Sequence, residues 1–579
     1  MNYVKRHSWL ILAFVIFFTY VLMNLRHLDR SYVIDEAAFP YGAIGVLEKG
    51  NPFFYNGETR PNDLALWHPP LYILSLALHM VFWGTSAFSV RLFGLLCIGV
   101  TALIVTLAFN KLAISKFHRD IALVVFLCLY IFNPLISESA LIPDIDGTIA
   151  IPIITAGLLS CIALIKSGWS RGLFLTFVSI WTMLFFTKFT IALLFLPIFV
   201  FATMISGPNR TRNVLQGISS VFLGALIFAS AWKMLSVVMK VPFQAPFDYF
   251  TYGFKNKSAV KSSLADYLHI ATHWDPRITM WIGPSLLLVS IVSLLSLVLR
   301  SIKGKRFDPV LILPIFAFYS FFAYNIIGGV VFTFPKYWVI CVLPLAMMIS
   351  LELSRGLINF AELSPNLRTR LSRGSTGFVI AIAATLGIGA NYVFARRNGF
   401  ISAFNLEANL NQMFINASIT MIFMTVLFKL RNANMPERVK FLNGMFAAVL
   451  FTSIFLAQFT VFATHRNSQN STTYYYNERG LSETISLVKE IAPPGTVIIA
   501  PKDVGIQSGV PYYEDAFVAP LPETEVLKYI ELNEPSLVVT RNKFDYSEPV
   551  YPQYFAAIRQ KYQPIATNFQ SDLVIWIPK

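Results

Sequence analysis

Charged side chains are scarce in this sequence: Asp, Glu, Lys and Arg together make up 13% of its 579 residues. Soluble globular proteins carry about 25% charged residues, so this chain cannot cover a water-facing surface with the charges it has. Hydrophobic residues, by contrast, make up 55%. The composition excludes a cytosolic enzyme, a disordered chain and a collagen, and it predicts an integral membrane protein.

Cysteines are also few, and all four of them lie inside apolar runs: Cys97, Cys128, Cys161 and Cys341. We therefore expect neither a disulfide framework nor a cysteine metal site. The sequence has no glycine-rich phosphate loop, and we expect no organic cofactor. The net charge of +15 is the kind of basic excess that cytoplasmic loops of membrane proteins accumulate, so it does not indicate a nucleic-acid partner.

Long apolar runs dominate the first 463 residues. A helix needs about 20 apolar residues to cross a bilayer core of about 30 Å. Thirteen runs reach or approach that length: 8–25, 89–110, 120–137, 147–165, 172–187, 189–205, 215–239, 281–299, 309–331, 338–354, 375–395, 412–428 and 441–463. A further run, 71–83, has only 13 residues, and we expect it to lie at the membrane surface. No small-residue cleavage site follows the first run, so we expect a retained span rather than a signal peptide.

The basic loops predict the topology. If residues 71–83 do not cross, all strongly basic connections fall on the same side as Lys5 and Arg6, which the positive-inside rule assigns to the cytoplasm. These connections lie at 111–119, 166–171, 210–212, 300–306, 355–373 and 429–440. We therefore predict thirteen spans, a cytoplasmic N-terminus, an outer segment 26–88 with a juxtamembrane helix, and an extracytoplasmic C-terminus. Lys188 interrupts the apolar stretch 172–205, so we expect the chain to turn back there.

The charge balance changes near residue 464. Residues 464–579 carry 10 Lys and Arg against 13 Asp and Glu, whereas residues 1–463 carry 36 against 18. We place a domain boundary here, between a transmembrane domain (1–463) and a soluble domain (464–579). In the soluble part, helical patterns at 481–491, 523–532 and 553–562 alternate with β-branched segments at 496–499, 536–540 and 573–577. This alternation predicts a small α/β domain with a partly parallel sheet.

Acidic and basic residues gather at the predicted outer face. The acidic ones are Asp35 and Glu36, after the first span, and Asp144 and Asp146, after the third; the basic ones are His68, Lys188, Lys336 and Arg91. A carboxylate can deprotonate an acceptor hydroxyl, and cations can stabilise a leaving phosphate. The pattern favours a reaction on a lipid-borne phosphate. The simpler alternatives are a helix cap for the Asp144 pair and an interfacial anchor for Lys188.

Several segments, in order, resemble a known family. They are IDEAAF at 34–39, WHPPLY at 67–72, SVRLFGLL at 89–96, FTK at 186–188, and FPKY at 334–337 with LP at 343–344. Together they resemble the GT-C glycosyltransferases, particularly the protein O-mannosyltransferases and the bacterial aminoarabinose transferase that modifies lipid A. The resemblance covers about residues 1–350, and a soluble outer domain at the C-terminal end is also common in that family.

The resemblance implies an inverting glycosyltransferase in a bacterial plasma membrane. Such an enzyme moves a sugar from a polyprenyl-phosphate donor to a glycan, lipid or protein acceptor on the outer face. The resemblance implies that Asp35 is the general base and that Glu36, Asp144 and Asp146 orient hydroxyl groups. It also implies that the departing phosphate is stabilised by cationic side chains, namely Lys188 together with Lys336, Arg91 or His68.

The sequence leaves alternatives open for both the metal dependence and the class of function. Asp144 and Asp146 are spaced like the DxD pair of the oligosaccharyltransferase branch, which binds a divalent cation. Carboxylate ligands would select Mg²⁺ or Mn²⁺, but the nearby lysines favour a metal-independent reaction. The alternative functions are a polysaccharide polymerase or ligase and a transporter or flippase of lipid-linked sugars. A transporter is expected to have ionisable residues deep in several spans and two related halves, and the sequence shows neither.

Overall fold

The computed structural model describes residues 2–53, 65–66, 68–257, 284–328, 335–361, 480–541 and 547–579, together with ten positions between 444 and 462. Two of the predicted spans, 375–395 and 412–428, lie outside these residues, and so does most of a third, 441–463. Trp67 and Phe334 of the family-like segments also lie outside them.

Helices make up most of the described chain up to residue 361. In order they are α1 (Asn2–Asn24), α2 (Ala38–Lys49), α3 (Leu71–Trp83), α4 (Ala87–Leu112), α5 (Lys116–Ile131), α6 (Pro134–Leu141), α7 (Ala150–Ser167), α8 (Arg171–Thr187), α9 (Phe189–Ile205), α10 (Arg210–Val238), α11 (Ala245–Lys257), α12 (Pro284–Gly304), α13 (Ile312–Gly328) and α14 (Val339–Ala361). Two short 3₁₀ turns, Ile34–Ala37 and Pro335–Trp338, precede α2 and α14.

Four of the described helices are long and apolar enough to cross a membrane: α4, α7, α10 and the Val339–Ile358 part of α14. The bent pair of α5 and α6 makes a fifth when it is counted as one span. Each of the ten runs predicted up to residue 354 overlaps a helix or this pair. These helices support the prediction of a membrane protein, while the total of thirteen spans stays a prediction.

The apolar run 71–83 forms a helix with the predicted bounds, α3. At 13 residues it is about 20 Å long, which is too short to cross a bilayer core. It packs against α2 and α4, and Leu78, Val81, Phe82 and Trp83 are each more than 60% exposed. The helix therefore has an exposed apolar face, and its position at the membrane surface stays a prediction.

The apolar run 120–137, predicted as one span, divides into α5 and α6, whose axes differ by 65°. The dipeptide Asn133-Pro134 lies at the break. The Asn133 side chain accepts the N–H groups of Leu135 and Ile136 at 3.0 and 3.3 Å, and Pro134 begins the new helix. Because proline has no N–H to continue the preceding helix and asparagine caps the next one, α6 leaves in a new direction.

Lys188 separates α8 from α9. It is the last cap of one helix and the first cap of the other, and its backbone is extended (φ −164°, ψ 120°). This confirms the predicted break in the apolar stretch 172–205. Both helices also pack against α7, which brings Lys188 close to the chain that precedes α7.

The C-terminal part is a five-stranded sheet with helices. Its helices are α15 (Leu481–Ile491), α16 (Lys502–Ser508), α17 (Asp515–Val518), α18 (Glu523–Asn533) and α19 (Pro552–Lys561), and its strands are β1 (Ile498–Ala500), β2 (Tyr512–Glu514), β3 (Leu537–Arg541), β4 (Tyr562–Pro564) and β5 (Leu573–Pro578). The strand order is β2-β1-β3-β5-β4. β1 is parallel to β2 and β3, whereas β5 is antiparallel to β3 and β4. The prediction of a partly parallel α/β sheet is confirmed.

Alternating side chains give this sheet two apolar faces. Ile499, Val538 and Trp576 belong to a cluster with residues of α18 and α19. The strand residues that alternate with these three point to the other face of the sheet and belong to a second cluster. This second cluster continues into the helices of the first 361 residues. The C-terminal part is therefore packed onto the helical part, and α16 lies against the turn Ile34–Ala37. The domain boundary at residue 463 stays a prediction.

Candidate functional site

Arg91 organises the segment that carries the acidic pair. It lies in the first turns of α4, which Ser86 caps through the Ser89 N–H (3.2 Å), and only 1% of Arg91 is exposed. A guanidinium has five N–H donors, and all five are used here. Nε donates to Leu141 O (3.0 Å), Nη1 to Leu28 O (3.1 Å) and Arg30 O (2.5 Å), and Nη2 to Ser31 O (3.1 Å) and Glu36 Oε2 (3.2 Å). One side chain thus holds the backbone of residues 28–31 and the Glu36 carboxylate together.

Glu36 lies in the turn Ile34–Ala37 and is 3% exposed. Besides Arg91, its Oε2 accepts the Val33 N–H at 3.1 Å. Burial raises the pKa of Glu36 above its usual value, and the positive charges of Arg30 and Arg91 oppose that rise. The carboxylate is therefore engaged in holding its own loop in shape.

Two further charged residues complete this cluster, and the sequence pattern assigns no role to either. Arg30 Nη2 lies 3.8 Å from Glu36 Oε1 and 3.7 Å from Glu138 Oε1, and both carboxylates are almost fully buried. With Arg91, the cluster holds two cations and two carboxylates. No sequence signal identifies them, because Arg30 resembles an ordinary basic flank of the first span and Glu138 is a single acidic residue in a short helix.

Two predicted site residues are described by their backbone alone. Asp35 lies in the turn Ile34–Ala37, directly before Glu36, and Lys336 lies in the turn Pro335–Trp338. Their side chains lie outside the described part of the structure. The predicted roles of Asp35 as base and Lys336 as phosphate ligand stay predictions.

A second charged cluster joins the loop before α7 to the break between α8 and α9. Lys188 Nζ donates to Asp146 Oδ2 at 2.6 Å, and both side chains are buried. The same Nζ lies 4.8 Å from the centroid of the Tyr337 ring, which is adjacent to Lys336 in the chain. Asp144 Oδ1 accepts the Ile145 N–H at 2.6 Å, and Thr148 Oγ1 donates to the Asp144 carbonyl. The predicted neighbours Asp146 and Lys188 are thus in direct contact.

Helix α6 links the two clusters. Glu138 belongs to α6, and the Leu141 carbonyl at its end accepts the hydrogen bond from Arg91 Nε. Gly94 allows α4 to approach this closely, since a Cβ at that position would overlap the Ala140 carbonyl. The loop that follows α6 carries Asp144 and Asp146. The two clusters therefore share one close contact between α4 and α6.

His68 lies immediately before α3 and is partly buried. Its ring meets the ring of Tyr249, in α11, edge to face with a centroid distance of 5.5 Å. The structure thus joins the chain just before α3 to α11 through this ring contact. Its predicted role toward phosphate stays a prediction.

The residues around Asp144 and Asp146 do not fit a divalent cation well. Hard cations take about six oxygen ligands, but the Lys188 ammonium occupies Asp146 Oδ2 and a backbone N–H occupies Asp144 Oδ1. Within the described residues, no three His, Cys, Asp or Glu side chains converge on one point. We derive no step through a metal.

Two solved structures of one protein resemble the whole chain. ArnT from Cupriavidus metallidurans bound to undecaprenyl phosphate superposes with a TM-score of 0.55 and 15% identity, over 98% of each chain. The chain has the fold of ArnT. The apo state of ArnT gives a TM-score of 0.56 and 15% identity, over 99% of this chain and 98% of that one. Because ArnT is an aminoarabinose transferase of the GT-C class, the resemblance inferred from the short segments is confirmed at the level of the fold.

A third structure is more distant than ArnT. The archaeal oligosaccharyltransferase AglB from Archaeoglobus fulgidus, in complex with an inhibitory peptide and a dolichol-phosphate, has a TM-score of 0.49 and 10% identity, over 98% of this chain and 74% of that one. No family model matches the chain, and no curated protein sequence matches it.

Proposed function

We propose that this chain is an inverting glycosyltransferase that takes a sugar from a polyprenyl-phosphate donor at the outer face of a bacterial plasma membrane. The observation that carries the proposal is the acidic turn Ile34–Ala37, whose Glu36 is buried and bound by Arg91, in a chain with the fold of ArnT. The ArnT structure was determined with undecaprenyl phosphate bound, which supports a lipid-phosphate donor here. The acceptor is a glycan, a lipid or a protein.

Asp35 is the base in this proposal. It removes the proton from an acceptor hydroxyl, whose oxygen attacks the anomeric carbon of the donor sugar from the face opposite the phosphate. A bond forms between acceptor oxygen and anomeric carbon, the bond to the phosphate oxygen breaks, and its electron pair leaves with the lipid phosphate. The configuration at the anomeric carbon is inverted. General-base assistance of this kind contributes about 100- to 10,000-fold.

Glu36 is less suited to be the base, although it is adjacent to Asp35. Its Oε2 already accepts hydrogen bonds from Arg91 and from the Val33 N–H. Proton abstraction by this carboxylate would weaken the contacts that hold the loop. We assign Glu36 and Arg91 to positioning the turn, so that Asp35 meets the acceptor in one orientation.

Lys188 supplies positive charge for the departing phosphate. Its ammonium lies 2.6 Å from the Asp146 carboxylate. This negative charge offsets part of the free-energy cost of burying the lysine. An arriving phosphate then exchanges one anionic partner for another, and Asp146 and Asp144 are left to accept hydrogen bonds from the sugar. Lys336, adjacent to the Tyr337 ring that packs on Lys188, supplies further charge. Two lysines thus provide the charge that the alternative assigns to a metal.

The test compares Asp35→Asn with the control Asp29→Asn. Both remove one carboxylate from the same outer segment, but Asp29 is exposed to solvent. Purified variants are assayed for release of undecaprenyl phosphate from a panel of undecaprenyl-phosphate sugars, in the presence of extracted cell-envelope acceptors. We expect at least a 100-fold loss for Asp35→Asn and activity within twofold of wild type for Asp29→Asn. Wild-type turnover in Asp35→Asn would refute the assignment of the base.

A further inference from the structure

Gln507 connects the C-terminal domain to the acidic loop. It lies near the end of α16, the helix that packs against the turn Ile34–Ala37. Its Oε1 accepts the Tyr32 N–H at 2.9 Å, and its Nε2 donates to the Tyr32 carbonyl at 2.6 Å. The side-chain amide therefore pairs with the main chain of Tyr32 through both its donor and its acceptor, as a neighbouring strand would.

We propose that Gln507 is a positioning residue, through which the C-terminal domain, together with Arg91, holds the residues that lead into the acidic turn. The inference rests on the proposed function, since the turn carries the proposed base Asp35. It gives the C-terminal domain a defined role, because the domain then forms part of the scaffold of the site.

The hydrogen bonds along this segment are divided between the two parts of the chain. Arg91, from α4, donates hydrogen bonds to the carbonyls of Leu28, Arg30 and Ser31. Gln507, from α16, accepts a hydrogen bond from the N–H of the next residue, Tyr32, and donates one to its carbonyl. The N–H of the following residue, Val33, donates a hydrogen bond to the Glu36 carboxylate. Consecutive residues up to the turn are thus fixed by side chains, with Tyr32 assigned to the C-terminal domain.

The side chain of Gln507 is itself held in place by further hydrogen bonds. Its Nε2 also donates to the Asp503 carbonyl at 2.8 Å, so both of its amide protons and its oxygen are engaged. Asp503, in the first turn of α16, accepts two hydrogen bonds from Arg541 Nη2 (2.8 and 2.7 Å), and this ion pair is buried. Arg541 ends β3. The sheet therefore fixes α16, and α16 fixes the amide that holds Tyr32.

A plain packing contact between the two parts predicts different consequences. Packing depends on the size of the side chain, whereas the observed pairing depends on one donor and one acceptor. Gln507→Glu keeps the size but replaces the donor with a second acceptor, which faces the Tyr32 carbonyl. We therefore expect Gln507→Glu to be at least as damaging as Gln507→Ala, a result that packing alone does not produce.

The experiment uses hydrogen exchange on the full-length purified protein, which needs no knowledge of the substrate. Gln507→Ala and Gln507→Glu are compared with wild type and with Gln560→Ala. Gln560 is a matched control because its exposed amide bonds to Glu523, within the C-terminal domain. We expect amide exchange in peptides covering residues 30–37 to accelerate about tenfold in both Gln507 variants and not in the control. Exchange in Glu523–Asn533 should not change, which separates local release from unfolding of the domain.

The outcomes keep the inference and the proposed function apart. Unchanged exchange at 30–37 in both Gln507 variants overturns the positioning role, and so does an acceleration in Gln507→Ala that Gln507→Glu fully reverses. In the transfer assay, we expect kcat to fall about tenfold or more for the Gln507 variants, with the donor KM within twofold of wild type, because a misplaced base slows chemistry without weakening donor binding. The variant Asp35→Asn, and not Gln507, decides whether the turn is catalytic.

Discussion

The buried Arg91–Glu36 pair predicts a large and specific loss of stability when one partner is removed. Arg91→Met keeps a long side chain but removes all five N–H donors. It leaves Glu36 buried with Arg30 as its nearest cation, at 3.8 Å, and it leaves four carbonyl groups without their donor. Breaking a buried ion pair in this way costs about 3 to 5 kcal/mol. That is a large share of a typical unfolding free energy of about 5 to 15 kcal/mol.

A double-mutant cycle tests whether the pair accounts for this loss. Glu36→Gln alone leaves the guanidinium without its anion, and the double variant Glu36→Gln/Arg91→Met leaves no buried charge uncompensated between the two positions. We therefore expect the double variant to lose less stability than the two single losses combined, by about 1 to 3 kcal/mol.

The assay measures the unfolding of each variant in detergent, induced by heat in one experiment and by denaturant in another. Arg559→Met is the control, since Arg559 and Glu548 form an Arg–Glu pair that is exposed to solvent, and we expect no measurable shift in Tm from its loss. Strictly additive effects of the two single substitutions would refute the coupling, and a wild-type Tm in Arg91→Met would refute the whole account of the loop.

Three further outcomes are expected. Lys188→Ala should reduce transfer at least 100-fold while excess EDTA leaves the wild type active; loss of activity in EDTA that Mn²⁺ restores would contradict the metal-independent proposal. A cysteine introduced at Glu548 should react with a membrane-impermeant reagent on intact spheroplasts and one at Lys303 should not, and the reverse labelling would refute the topology. Burial raises the pKa of Asp515 from near 4 to about 7, so its favourable contribution is complete below pH 4 and is lost as the pH rises through 7; the Tm of wild type should therefore fall over this range relative to Asp515→Asn, and parallel pH profiles would contradict it.

The helices were largely predictable, because apolar runs and their polar ends are local properties of a sequence. The bounds of α3 agree with the run 71–83, and the break at Lys188 follows from one charge in a long apolar stretch. The bend between α5 and α6 was missed, although Asn133-Pro134 is a helix-start signal. In a membrane protein the apolar run continues across such a signal, so hydropathy alone merges the two helices.

Short strands were harder to predict than helices. The strands Tyr512–Glu514 and Tyr562–Pro564 have three residues each, which is too few to show an alternating pattern. They are stabilised by pairing with β1 and β5 rather than by any preference of their own. Strands with β-branched runs, such as Leu537–Arg541, were found.

Several charged residues of the candidate site could be singled out from the sequence, but their pairings could not. Glu36, Arg91, Asp146 and Lys188 stand out because charges are scarce in an apolar chain. That Arg91 holds Glu36, and that Asp146 holds Lys188, depends on contacts between segments 55 and 42 residues apart, which composition and periodicity do not encode. Gln507 is a further example, since it binds Tyr32, 475 residues away in the sequence, and a single glutamine in a short helix carries no signal.

The two helices that meet at Lys188 have a consequence for the surrounding lipid. α8 and α9 have 17 residues each, so each is about 25 Å long against a hydrocarbon core of about 30 Å. A bilayer accommodates such hydrophobic mismatch by thinning around the short segments. We expect lipid headgroups to be drawn inward beside this hairpin, so that a phosphate carried on an isoprenoid chain reaches the lysine without leaving the headgroup layer. If the chain uses a lipid-phosphate donor as proposed, the thickness of the host membrane enters the energetics of donor binding.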